Sequence, residues 1–177
     1  MTVETDAGII FCQRLSESVY RLQLNLPSLL ELQRKPGVAY TELGNPGLPH
    51  AMVELNDLAW ENMEQIRPAA VQLRQDAIFP KGVNINYFAE ISPGEVRMLT
   101  YERGVEDYTL ACGTGSASVA LALWTQGRLP KNTLLAHNRG GDLLVRIEED
   151  ASGQLHKLFL EGPTEISGIY EYKNSAL

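Results

Sequence analysis

The stretch Cys112-Gly113-Thr114-Gly115-Ser116-Ala117-Ser118-Val119-Ala120-Leu121-Ala122-Leu123-Trp124-Thr125-Gln126-Gly127 carries no charge until Arg128 follows it. Ser116, Ala117, Ala120, Leu121, Leu123 and Trp124 cover most of the circumference of a helix, which predicts a helix over 114–127 with Gly127 as its stop. A helix that is apolar all round has to be wrapped by structure on every side. Strand-like stretches surround it in the chain: Val3–Phe11, Ser18–Asn25, Ala51–Leu55, Val83–Ile91, Val96–Tyr101, Thr133–His137, Leu143–Glu148, His156–Glu161 and Glu165–Tyr172. Pro93-Gly94, Gly140-Gly141 and Ser152-Gly153 supply turns between them, and Gly44 to Pro49 is too punctuated for a helix or strand. The expected fold class is α+β, a curled mixed sheet around a central buried helix.

Two further segments complete this reading. Met63, Ile66, Ala70 and Leu73 recur at helical spacing within 61–76, a period interrupted by Pro68. Residues 26–38 contain two prolines and a glycine and read as a crossing between structural units.

Bulk properties narrow the function classes. Hydrophobic content of 44% and charged content of 21% are those of an ordinary globular protein. No apolar run approaches the roughly 18 residues of a membrane-spanning helix, and residues 1–8 hold two acids and no basic cluster, unlike a targeting segment. The expectation is a cytoplasmic protein without a membrane partner. A net charge of −7 argues against nucleic acid, whose phosphates need a basic face.

Cys12 and Cys112 stand 100 positions apart. Cys12 lies in the apolar run Gly8-Ile9-Ile10-Phe11, where a buried structural thiol is the natural reading. His50, His137 and His156 show no metal-ligand spacing among themselves or with the cysteines. Cys112 is placed differently, at the start of the apolar helix. Free N–H groups and the positive end of the helix dipole favour an anion there, so its thiol pKa is expected to fall. Gly113 and Gly115 leave the same N–H groups open to a substrate carboxylate. Taken alone, a Cys-Gly before a helix is more often structural.

Other motifs add context. In Tyr101-Glu102-Arg103-Gly104, Arg103 could grip a carboxylate as a bidentate fork while Glu102 holds an ammonium group, although adjacent Glu and Arg at a strand end are usually only solvated. Phe79-Pro80-Lys81-Gly82-Val83-Asn84-Ile85-Asn86 puts two asparagines on one strand face, lining a polar pocket or facing water. His50, after the Gly/Pro turn, fits a surface residue, a core histidine or an acid/base helper equally.

Together these motifs resemble those of diaminopimelate epimerases. Gly47-Leu48-Pro49-His50-Ala51, the 79–86 and 101–104 stretches, Ala111-Cys112-Gly113-Thr114-Gly115, Arg139-Gly140-Gly141-Asp142 and Glu161-Gly162-Pro163 fall in the family's order and spacing. The resemblance runs over nearly the whole chain. It implies a fold of two similar halves, each a curled sheet around a helix, with an amino-acid substrate between them. It implies cofactor-independent inversion at Cα, with neither pyridoxal phosphate nor metal, in lysine and peptidoglycan-precursor synthesis. Two cysteines work on opposite faces of the substrate, one taking the α-proton as the other delivers one. By resemblance Cys112 is the carboxy-terminal member of that pair, with Glu102 and His50 at acid/base-assisting positions. Asn84, Glu102, Arg103, Gly113 and Thr114 are implied to contact the charged groups of the amino acid.

The sequence departs from the family's pattern in two places. The other catalytic cysteine belongs to a Gly-Asn-Gly-x-Arg-Cys motif that is absent here, and Cys12 lies on a strand beyond its position. Leu48 stands where the family has asparagine, and Asn45 in Gly44-Asn45-Pro46 is a candidate to supply an amide from upstream. The expected organisation is therefore a carboxy-terminal epimerase domain over 41–163, with 1–40 and 164–177 as strands of a partial first domain. The alternatives are a non-catalytic relative that binds an amino acid or a partner, and a racemase for another amino acid. Val3, Ile9, Phe11, Val19, Ile169 and Tyr170 would form an exposed apolar face on the terminal strands. That face leads to the expectation of a homodimer or a complex with a complementary amino-terminal half.

Overall fold

The computed structural model describes residues 1–5, 8–168 and 171. Its strands and helices in chain order are β1 (Thr2–Thr5), β2 (Gly8–Arg14), β3 (Val19–Leu24), β4 (Pro27–Lys35), β5 (Val38–Leu43), β6 (Leu48–Glu54), α1 (Met63–Arg74), β7 (Asn84–Ser92), β8 (Glu95–Glu102), β9 (Asp107–Tyr108), α2 (Gly113–Thr125), β10 (Thr133–Asn138), β11 (Gly141–Glu149) and β12 (Leu155–Pro163). The strands join in one sheet of order β1-β2-β3-β12-β11-β10-β8-β7-β6-β5-β4, with β9 attached to β8. Two neighbouring pairs, β6 with β7 and β8 with β10, are parallel, and the rest are antiparallel. Parallel neighbours require a long crossover. Here each crossover carries a helix, α1 in the first and α2 in the second.

The two helices cover opposite faces of the sheet. Every residue of α2 from Gly115 to Leu123 is buried. It packs with Ala39, Leu43, Met52, Phe88, Met98, Leu134, Val145, Ile147 and Leu158 from β5, β6, β7, β8, β10, β11 and β12. Glycine, serine and alanine let the strands close tightly about it. The buried serines are tolerable because their hydroxyls donate four residues back, Ser116 to the Cys112 carbonyl at 3.0 Å and Ser118 to the Thr114 carbonyl at 2.8 Å. At the far end Gly127 takes φ +70°. There the Arg128 N–H reaches the Leu123 carbonyl and the Gly127 N–H the Trp124 carbonyl, each at 2.9 Å. This is a Schellman stop, and it needs the left-handed backbone that glycine adopts freely.

Helix α1 covers the other face with a second core that includes Leu58, Ala70, Val83, Ile85, Tyr87 and Leu99. β7 is thus roofed on both sides, and its residues from Asn84 to Ala89 are all buried. Among the described residues no helix is long and apolar enough to cross a membrane.

The curled mixed sheet around a buried helix is as expected, but several local readings change. The single strand expected over Val3–Phe11 is two strands paired as a hairpin, with Thr2 opposite Phe11 and Thr5 opposite Gly8. Residues 27–35, expected as a crossing segment, are strand β4 at the edge of the sheet. Pro27 opens that strand and Pro36 follows it, positions where a missing N–H interrupts no ladder. Pro68 does not break α1, which runs on through it. Of the strand expected over Glu165–Tyr172, residues 165–168 are not in a strand, and 169, 170 and 172 lie outside the described residues. Ile169 and Tyr170 of the expected apolar face are among those. Of the rest, Ile9, Phe11 and Val19 share one face, whereas the pairing of Val3 with Ile10 puts Val3 on the other.

His137 on β10 sits between two carboxylates, with Nε2 2.7 Å from Glu95 and Nδ1 2.8 Å from Asp142. Both ring nitrogens must donate, so the imidazolium is favoured. The hydrogen bond to Glu95, and then that to Asp142, raises its pKa above the ordinary histidine value. A raised folded-state pKa gives stability that is fully present below the unfolded pKa of about 6.5 and is lost as pH rises through the folded value. His137→Gln is therefore expected to lower the melting temperature at pH 6 and to have almost no effect at pH 9. Thermal denaturation at the two pH values checks this. The effect is small because solvent screens both carboxylates.

Candidate active site

Cys112 is the N-cap of α2. Its extended backbone (φ −135°, ψ 107°) turns the thiol back over the first turn. Sγ accepts the Gly115 N–H at 3.4 Å and lies 3.6 Å from Thr114 Oγ1. Gly115 is required here because a Cβ would overlap the buried, hydrogen-bonded Asn86 amide of β7, whereas a Cβ at Gly113 would meet only the tip of the Leu160 side chain of β12. The glycines of Ala111-Cys112-Gly113-Thr114-Gly115 thus let the helix start press against the sheet, besides leaving N–H groups open.

The lowered thiol pKa expected from the helix terminus is not what the structure gives. Cys112 is only 9% exposed. Burial pushes its pKa above the ordinary thiol value, and the Glu102 carboxylate adds to that, outweighing the hydrogen bonds from Thr114 and Gly115. The resting group is a protonated thiol.

β6 and β7 run parallel with His50 directly beside Asn84. His50 is fully buried. Its Nδ1 is 3.2 Å from the Asn86 amide nitrogen, and its Nε2 is buried with no hydrogen-bond partner. Burial, and next the Arg103 charge, push its pKa down to about 3, so it is neutral at ordinary pH. An unsatisfied buried polar atom costs about 1–3 kcal/mol, so this nitrogen is the one strained polar group of the cluster.

Asn84 joins three of the motifs. Its amide donates to the Pro49 carbonyl at 3.1 Å, and its Oδ1 accepts the Arg103 N–H at 2.9 Å. The Arg103 guanidinium donates to the Lys81 carbonyl at 2.6 Å and enters no ion pair among the described residues. Gly82, at φ +68°, lets the Arg103 side chain cross over it. Glu102, the last residue of β8, is half-buried. The stretches 47–51, 79–86, 101–104 and 111–115 therefore converge, bringing His50, Asn84, Glu102, Arg103, Cys112, Gly113 and Thr114 to one end of the sheet.

Asn45 is not bonded to this group. It is exposed in the turn between β5 and β6, beside Asn25, Leu26, Pro27 and Ser28. Cys12 is buried on β2, and both cysteines are free thiols. A cavity of about 580 Å³ lies on the opposite face, between α1 and the ends of β5 and β6, and includes none of the site residues.

The sequence reading missed the part played by Asn86. Both asparagines are buried and hydrogen-bonded, and Asn86 reaches β6 at the Ala51 carbonyl (3.0 Å) and β8 at the Thr100 hydroxyl (3.0 Å). The signal was its spacing two residues after Asn84, but only the strand pairing supplies its partners.

Comparison with known proteins agrees with this arrangement. Residues 43–165 match the diaminopimelate epimerase family. The chain is 32% identical over 177 residues to diaminopimelate epimerase of a Hydrogenobaculum species, covering 96% of this chain and 62% of that protein. It is 34% identical over 163 residues to the enzyme of Aquifex aeolicus, covering 90% of this chain and 57% of that one. The chain thus spans about three fifths of the length of these relatives. A solved phenazine biosynthesis protein of the PhzF family from Bacillus anthracis has the same fold at 12% identity, with a TM-score of 0.66 over 92% of this chain and 64% of its own. With the family match covering most of the chain and its motifs meeting around Cys112, the chain belongs to the diaminopimelate epimerase family.

Proposed function

We propose that this chain forms one catalytic half of a cofactor-independent epimerase that interconverts LL- and meso-diaminopimelate, with Cys112 as one of two proton-transferring thiols. The observation that carries this reading is the Cys112 thiol capping α2 in the same place as His50, Glu102 and the unpaired Arg103 guanidinium. In the proposed reaction, Arg103, the Asn84 amide and the N–H groups at Gly113 and Thr114 hold the reacting amino acid by its carboxylate, and Glu102 faces its ammonium group. A thiolate on one side removes the α-proton, and the thiol on the other side delivers its own proton to the resulting carbanion, leaving one thiol and one thiolate exchanged. Burial keeps Cys112 protonated at rest, so the direction in which it donates starts from the resting state.

The second thiol is proposed to come from a complementary amino-terminal half that associates through the terminal strands. Supporting this, Ile9 is 63% and Phe11 57% exposed on one face of β2, and covering such side chains stabilises association by about 1.5–3 kcal/mol each. The test is α-hydrogen exchange in deuterated buffer, read by mass spectrometry on LL-diaminopimelate. The chain alone is expected not to invert the substrate. Adding an amino-terminal half that carries Gly-Asn-Gly-x-Arg-Cys is expected to restore inversion, with light scattering reporting the complex. Inversion at an enzymic rate by the chain alone would overturn the two-half mechanism.

A further inference from the structure

The Asn86 side chain has contacts on both ends, and they decide which way its amide points. The Ala51 carbonyl, 3.0 Å from Nδ2, can only accept a hydrogen bond, so the NH2 group must face it, and Oδ1 takes the Thr100 hydroxyl at 3.0 Å. The second hydrogen of the same NH2 group falls to His50 Nδ1 at 3.2 Å, with the Asn84 carbonyl farther off at 3.4 Å. A proton on His50 Nδ1 would set two donors against each other, which disfavours both the Nδ1–H tautomer and the imidazolium. The proton of neutral His50 must then sit on Nε2, the nitrogen that is buried without a partner.

We infer that Asn86 is a positioning residue of the site, holding His50 in its Nε2–H tautomer as a neutral ring whose unpartnered hydrogen-bond donor is that Nε2–H. This rests on the site reading proposed above. Three further observations support it. His50 is 0% exposed, and it lies within the field of the Arg103 guanidinium, so a second positive charge there is doubly opposed. Asn86 is also 0% exposed and tied to β6, β7 and β8, and turning its amide over would set Oδ1 against the Ala51 carbonyl, two acceptors face to face. Gly115 of α2 lies so close to Asn86 Oδ1 that any side chain there would overlap it, so the helix start and the Asn86 amide share one packed position.

The inference is tested in the full chain with 15N-labelled histidine, recording the ring nitrogens of His50 from pH 5 to 8 and assigning them with His137→Gln and His156→Gln variants. The expected result is one neutral form with the proton on Nε2 and no titration across that range. Asn86→Asp, which exchanges the donor for an acceptor of the same shape, is expected to move the proton to Nδ1 and bring the ring into titration. If that variant does not fold, Asn86→Ala is read instead and should show a mixture of tautomers. Three results would overturn the inference: a His50 of the unmodified chain that carries its proton on Nδ1, one that titrates between pH 5 and 8, or an unchanged Nε2–H form in a folded Asn86 variant. No ligand or turnover enters the measurement. A negative result here leaves the Cys112 assignment standing, and failure of the exchange assay leaves the tautomer assignment standing.

Discussion

Cys112→Ser is expected to abolish α-hydrogen exchange in the completed enzyme, with a loss of at least roughly 10²–10⁴-fold, the range attached to a positioned acid or base. The substitution isolates chemistry from folding because serine is a favoured N-cap. Its hydroxyl can accept the Gly115 N–H that Sγ accepts at 3.4 Å, so α2 should keep or slightly gain stability. What changes is acidity, since a serine hydroxyl is a far weaker acid than a thiol. Deuterium incorporation at Cα, measured beside the melting temperature, separates the two effects. Cys12→Ser is the contrast. Its Sγ is buried on β2, with the Ile10 carbonyl 3.9 Å away, so a stability cost with exchange retained is expected. Equal exchange by Cys112→Ser and the unmodified protein would remove Cys112 from the mechanism.

Leu121→Ala is expected to destabilise the chain by about 2–5 kcal/mol, toward the upper part of that range. Leu121 is fully buried in the middle of α2, among side chains from strands on both sides of the helix. Strands locked to their neighbours by backbone hydrogen bonds cannot collapse into the space a leucine leaves, so the cavity persists. Against a typical total of 5–15 kcal/mol, such a loss can unfold the protein at moderate temperature. Leu29→Ala on edge strand β4, where the side chain is 36% exposed, should cost much less. Urea denaturation of the two variants checks the ordering, and a Leu121→Ala cost no larger than that of Leu29→Ala would show that α2 is not the centre of the core.

The difference between what the sequence displayed and what it hid follows from the range of the interactions. Helix α2 was legible because its apolar residues and its Gly127 stop are local signals, within a few residues of one another. β7 and β8 were legible as strands around Pro93-Gly94 for the same reason. β4 was missed because its two prolines are read locally as breakers, and only a place at the sheet edge makes them harmless. The hairpin of β1 and β2 was merged into one strand because the strand formers Val3, Thr5, Ile9, Ile10 and Phe11 follow closely on either side of Asp6-Ala7-Gly8, and the pairing that divides them is a contact between residues up to nine apart.

The sequence by itself determined which residue types meet at the site, because the spacing of 47–51, 79–86, 101–104 and 111–115 is specific to one family. The protonation states were decided by the tertiary structure alone. A helix N-terminus predicts a lowered thiol pKa, yet desolvation and the Glu102 charge raise it. At His50, burial and next the Arg103 charge hold the ring neutral, which no local pattern around Pro49-His50-Ala51 announces. Both protonation states have one cause. The free energy of a charge depends on the water excluded around it and on groups brought near from distant parts of the chain, and neither is a property of neighbouring residues in sequence.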